Sequence, residues 1–100
     1  MRALLCKQFG PPESLVVEDI PSPVAGPGQV VVTVKAASVN FPDTLIIENK
    51  YQHKPPMPFS PGGDLAGDGK EVGPGVTGFK PGDRVQALLT WGGMAEEVAV

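Results

Sequence analysis

The 100-residue chain has one cysteine, one histidine and no long apolar run, and each scarcity closes a class of function. Cys6 alone excludes an internal disulfide and fits a reducing compartment, so a cytoplasmic location is expected. With His53 as the only histidine and no clustered cysteine, the usual donors of a metal site are missing. No apolar run approaches a membrane span. The start, Met1 to Lys7, has too short an apolar stretch for a signal peptide. Eight basic residues face eleven acidic ones, for a net charge of −3. The basic residues are scattered, whereas a phosphate-binding surface clusters them, so no nucleic-acid partner is expected. Strand–helix alternation and a strand–GxGxxG–helix unit are also lacking, so no dinucleotide-binding fold is apparent. Gly73, Gly75 and Gly78 have that spacing on paper, but Pro81-Gly82 would stop the helix that must follow, and the three read as turns.

What is present is turn-dense β structure around one small core. Apolar residues make up 41% and charged residues 19%, the balance of an ordinary soluble domain rather than a disordered chain. Glycine (13) and proline (12) are both high. They follow no fixed period and are interleaved with valine-rich runs, which points away from low complexity. Short strands with dense turn signals suggest a small barrel or sandwich, and the length suits a single domain.

Strands are expected over Arg2–Phe9, Leu15–Ile20 and Gln29–Val39, with Gly26-Pro27-Gly28-Gln29 as a type II turn before the third. In that third strand Val30, Val32, Val34 and Ala36 share one face. Val31, Thr33, Lys35 and Ala37 share the other, which is part polar and expected to meet solvent. Asp43–Lys50 is the only plausible helix, with Asp43 in its first turn. The four prolines between Gln52 and Pro61 predict an extended loop. The stretch Pro61–Val85 holds eight glycines and reads as short strands joined by tight turns. Strands over Asp83–Leu89 and Gly93–Val100 close the chain.

Several strings, in their order, resemble the N-terminal part of medium-chain dehydrogenase/reductases. They are Gly28-Gln29-Val30-Val31-Val32, Ala37-Ser38-Val39-Asn40-Phe41-Pro42-Asp43, Met57-Pro58-Phe59-Ser60-Pro61-Gly62, Val72-Gly73-Pro74-Gly75-Val76, Phe79-Lys80-Pro81-Gly82-Asp83-Arg84-Val85 and Gly92-Gly93-Met94-Ala95-Glu96. The resemblance implies a mainly β, GroES-like, partly open barrel over residues 1–100, with one short helix near residues 43–50. Within the superfamily the chain is most similar to the NADPH-dependent quinone oxidoreductases that include zeta-crystallin. Zinc-dependent relatives carry a Cys where Asn40 stands and a His-Glu pair where Gly63-Asp64 stand. Neither Asn40 nor Gly63 supplies a zinc donor, and one cysteine cannot build a four-Cys lobe, so the zinc-free branch is implied.

From that resemblance follow expectations of role. The implied reaction is hydride transfer from NADPH to a quinone or another activated carbonyl or alkene, in a cleft between this barrel and a Rossmann domain. Asn40 and Asp43 would stand on the cofactor side, and Tyr51 would line the substrate side. No Rossmann domain is present in these 100 residues, so the chain reads as a domain fragment, inactive and binding NADPH poorly by itself. Its open edges would favour self-association. The alternative is a non-catalytic GroES-like structural or assembly module. Plainer readings stand beside these: Asn40 and Asp43 as helix caps, His53 as a solvated loop residue, Cys6 as a small core residue, and Trp91 at the barrel edge. Leu45 replaces a tyrosine common in relatives. Asp68-Gly69 occupies a place where relatives bury two apolar residues, and predicts a bulge, a sharper turn or a local break.

Overall fold

A computed structural model describes all 100 residues. Six strands, one α-helix and a single 3-10 turn (Pro12–Ser14) form: β1 (Arg2–Leu5), β2 (Val16–Asp19), β3 (Val30–Ala37), α1 (Phe41–Ile46), β4 (Asp64–Val72), β5 (Arg84–Leu88) and β6 (Glu97–Ala99). β1 and β2 pair antiparallel, and the other four strands form a sheet in the order β5-β4-β3-β6. The two sheets are joined through the segment before β6. Ala3 bridges Ala95, the Leu4 N–H donates to the Met94 carbonyl at 2.9 Å, and the Glu96 N–H donates to the Arg2 carbonyl at 3.0 Å. The result is a mainly β, partly open barrel with β2 and β5 at its free edges.

Most expected elements form, with shifted bounds. The first strand ends at Leu5 rather than Phe9, and Cys6 continues only as an isolated bridge to Phe59. The last strand is confined to Glu97–Ala99, because residues 94–96 are taken by β1. The helix runs Phe41–Ile46, not Asp43–Lys50. Asn40 and Asp43 form a capping box that starts it two residues earlier, with Pro42 in the first turn, where a missing N–H costs nothing. Ile47, still right-handed, is its C-cap, and Asn49, at φ 60°, turns the chain away two residues later.

The turn before β3 forms as expected, with Gly28 at φ 76° and the Gln29 N–H donating to the Gly26 carbonyl at 3.1 Å. On β3 itself, Val30 and Val32 pack with Leu65 in one core cluster, as the alternation predicts. The opposite face is not uniformly solvated: Val31 is 0% exposed. Only Lys35 and Ala37, at the far end of that face, are exposed. Burial on both sides is how a central strand comes to read as a continuous valine run.

The glycine-rich stretch differs most from expectation. Its first half is not short strands but one nine-residue strand, Asp64–Val72, while the expected turns form after it, at Pro74-Gly75 and Pro81-Gly82. Asp68-Gly69 lies inside that strand, and neither a hairpin turn nor a break occurs there. A bulge does form beside the pair. Val31 stands opposite Glu71 and Val32 opposite Gly69, which leaves Lys70 as the extra residue. A second irregularity leaves Lys35 extra on β3. Asp68 avoids the cost of a buried carboxylate by being only half-buried, opposite Thr33 and Arg84. Gly67 is required by close approach, since a Cβ there would collide with the Thr33 carbonyl.

Beneath α1 a second cluster gathers Cys6, Ile46, Ile47 and Phe59, with Leu15 and Tyr51 packed against it. This cluster fixes the helix on the barrel and carries the loop that follows it.

Candidate functional site

After β3 the chain leaves the sheet through Ser38, Val39 and Asn40. The Ser38 N–H still donates to the Asp64 carbonyl at 3.1 Å, so the exit from β3 is tied to the first residue of β4. Asn40 then caps α1. The Asp43 side chain is only 6% exposed and is committed twice. Its Oδ2 accepts the Asn40 N–H at 2.8 Å, and its Oδ1 accepts the Gly62 N–H at 3.2 Å. One carboxylate thus holds the helix start to the segment that precedes β4. Gly62 sits at φ 107°, and a Cβ there would lie 2.9 Å from the Met94 backbone nitrogen, so only glycine serves at this junction.

Against the helix start lies a cavity of about 310 Å³, lined by Asn40, Pro42, Asp43, Tyr51, His53, Gly63, Asp64, Leu88, Leu89 and Thr90. The three residues singled out in the sequence, Asn40, Asp43 and Tyr51, all line it. Asp43 does so as the capping residue of the plainer reading, with both oxygens holding backbone N–H groups. Tyr51 packs partly on the Ile46–Phe59 cluster and partly on His53, with ring centroids 5.6 Å apart and planes tilted by 54°. His53 is exposed, as expected of a loop residue, but it stands at the cavity rather than in open loop.

A polar chain runs along the same wall. Asn40 Nδ2 donates to Ser38 Oγ at 3.0 Å, and Ser38 Oγ donates to Asp64 Oδ2 at 3.1 Å. The sequence reading does not single out Ser38, and it gives Asp64 only as a metal-ligand position. The available signal was the i, i+2 spacing of Ser38 and Asn40 on an extended segment, which places both side chains on one face. The partner Asp64 is brought in by strand register.

Metal chemistry has few donors here. Asn40 presents an amide and Gly63 nothing. A Cβ on Gly63 would lie 2.7 Å from the Leu89 carbonyl oxygen, so no side chain fits without moving the exit of β5. No three His, Cys, Asp or Glu side chains converge on one point. The two displaced ionisations lie away from the cavity. Burial pushes the Cys6 thiol up, which makes it a core residue and a poor nucleophile. The Arg2 guanidinium hydrogen bond, with the Arg2 backbone N–H, holds Glu96 below its ordinary value.

A partly open β-barrel whose capped short helix walls a small cavity defines a GroES-like domain. Residues 26–100 match the alcohol dehydrogenase GroES-like domain family, and the chain belongs to that family. It is 45% identical over 98 residues to quinone oxidoreductase-like protein 2 homolog of Nematostella vectensis, covering 96% of this chain and 26% of that protein. Among solved structures it is similar to the quinone oxidoreductase of Pseudomonas syringae pv. tomato. There the identity is 34% and the TM-score 0.93, over 99% of this chain and 30% of that one. It is also similar to Escherichia coli quinone oxidoreductase complexed with NADPH, with 29% identity and a TM-score of 0.92 over 100% of this chain and 31% of that one. The chain therefore spans about a quarter to a third of the length of these relatives.

Proposed function

We propose that the cavity is the acceptor side of a zinc-independent, NADPH-dependent reductase of quinones or other conjugated carbonyls. The observation that carries this reading is that Asn40 and Tyr51 converge on one cavity where, of the positions that hold metal ligands in zinc-dependent relatives, Asn40 presents an amide and Gly63 has no room for a side chain. At about 310 Å³ the cavity lies at the small end of ligand pockets, about 300–1,000 Å³. That suits a single ring and is too small for a dinucleotide. NADPH is supported by the likeness to a quinone oxidoreductase solved with it. When bound, that coenzyme supplies the hydride. Asn40 and Tyr51 would border its nicotinamide end and the acceptor, while Asp43 holds the wall they stand on.

The pyrophosphate needs a cradle elsewhere, because the positive-φ glycines Gly28, Gly75, Gly78 and Gly82 are spent on turns and the helix is six residues long. These 100 residues by themselves are accordingly inactive and bind NADPH weakly, which isothermal calorimetry tests; tight binding would contradict it. A cytoplasmic location belongs to the same reading. It is supported by the buried free thiol of Cys6 and by the lack of any helix long and apolar enough to cross a membrane. The free edge of β5, where Leu88 is 85% exposed, favours self-association of the isolated chain, which sedimentation would detect as a concentration-dependent mass. The test of function mixes the whole protein, NADPH and a small quinone, and follows coenzyme oxidation. Clear NADPH binding with only background oxidation would favour the non-catalytic module.

A further inference from the structure

Three side chains, Asn40, Ser38 and Asp64, fix the polarity of the cavity wall. A carboxylate has no proton to give, so Asp64 Oδ2 can only accept, and Ser38 must donate its hydroxyl proton across the 3.1 Å contact. The Ser38 oxygen then accepts a hydrogen bond from Asn40 Nδ2 at 3.0 Å. That assigns the amide: its nitrogen faces Ser38. The second Nδ2 proton of Asn40 remains without a protein partner. It belongs to a residue of the cavity wall.

We infer that this remaining N–H is the donor to the carbonyl oxygen of the acceptor, and that Ser38 and Asp64 are positioning residues that keep it turned that way. The inference rests on the proposed reductase reading and assigns the residues that hold the acceptor's carbonyl oxygen. NADPH, when bound, would supply two electrons with one hydrogen and so be oxidised, and the acceptor would gain the new bond to hydrogen. The displaced π pair collects on a carbonyl oxygen. Solvent water supplies the proton that completes the hydroquinone or saturated ketone. A fixed N–H aimed at that oxygen favours the charged state more than the neutral ground state. Asn40 thus supplies by hydrogen bonding what zinc would supply as a Lewis acid. Without Ser38 the amide is free to rotate and present its oxygen, which would repel the developing charge.

The experiment uses the whole protein with NADPH and a small benzoquinone, comparing wild type with Ser38→Ala, Ser38→Thr, Asp64→Asn and Asn40→Asp. Partners that orient metal ligands are worth about 10- to 100-fold in activity, and an effect of that order is expected for the partner of the Asn40 amide. Ser38→Ala should therefore lower kcat by about that factor, with KM for quinone and the NADPH Kd from fluorescence titration little changed. Ser38→Thr should restore kcat, because the hydroxyl returns, and Asn40→Asp should lose it by replacing a donor with an acceptor. Wild-type kcat in Ser38→Ala, or a loss that Ser38→Thr leaves unrestored and that follows a fall in thermal midpoint, would overturn the inference. Side-chain amide NMR of Asn40 is the second readout. The Nδ2 proton signals should move in Ser38→Ala and not in Ser38→Thr, and unmoved signals would also overturn it. If wild type oxidises no NADPH with quinone, the reductase reading fails with the donor role that rests on it. The NMR comparison then decides separately whether Ser38 and Asp64 orient the amide.

Discussion

Removing the Asp43 carboxylate is the sharpest perturbation of the site's framework. The side chain is buried and accepts two backbone N–H groups, from Asn40 at 2.8 Å and from Gly62 at 3.2 Å. Asp43→Ala removes one arm of a helix cap, worth about 1 kcal/mol. It also leaves the Gly62 N–H buried and unpaired, which costs about 1–3 kcal/mol. Together these give about 3 kcal/mol, or a fall in thermal midpoint of about 12–24 °C for a domain of this size. Asp43→Asn is the finer probe. Its amide has one accepting oxygen for two donors, so one bond is lost and an N–H faces an N–H, at about half the cost of the alanine change. Urea unfolding read by the fluorescence of Trp91, the only tryptophan, measures both. A cost below about 0.5 kcal/mol for Asp43→Ala, smaller than the cap contribution alone, would refute the claim that this carboxylate ties the helix to the segment before β4.

Gly67→Ala should be severe, because its Cβ would collide with the Thr33 carbonyl in the middle of the β3–β4 pairing. A loss of about 3 kcal/mol is expected in the same unfolding assay, against a smaller loss for Gly69→Ala, whose nearest neighbour would be the Lys80 carbonyl at 3.3 Å. The Arg2–Glu96 pair gives a pH signature. Glu96 is held below its ordinary 4.5, so its contribution is present above pH 4.5 and is lost as pH falls through the lower folded value. Stability curves of wild type and Arg2→Ala should differ above pH 4.5 and converge in stronger acid. Cys6, buried and with its thiol pKa raised, should resist iodoacetamide at pH 8 in the native protein and react readily in denaturant, as mass spectrometry of the adduct would record.

Local chemistry was legible in the sequence, and tertiary approach was not. The turn at Pro27-Gly28 followed from proline's fixed φ and glycine's access to positive φ, both properties of single residues. The valine alternation of β3 gave the core face at Val30 and Val32. It missed the burial of Val31, because nothing in one strand says what covers its second side. The helix starts two residues before the expected Asp43, although Asn40, Pro42 and Asp43 carry the cap signal. Asp68-Gly69 was rightly read as a disturbance, and Lys70 is where the strand absorbs it. In the cavity, Asn40, Asp43 and Tyr51 were found through resemblance. Ser38 and Asp64 meet across 26 positions by strand register, and Gly63 owes its bare backbone to the Leu89 carbonyl; neither fact has a local signature.

The central claim is zinc-independent quinone reduction at the Asn40–Tyr51 cavity. Its most direct test is coenzyme oxidation by the whole protein, with NADPH and a small quinone, after exhaustive chelation and metal analysis. The account predicts quinone-dependent oxidation that survives chelation, with no stoichiometric zinc and a large loss in Asn40→Asp. Activity that disappears on chelation and returns with added zinc would contradict it.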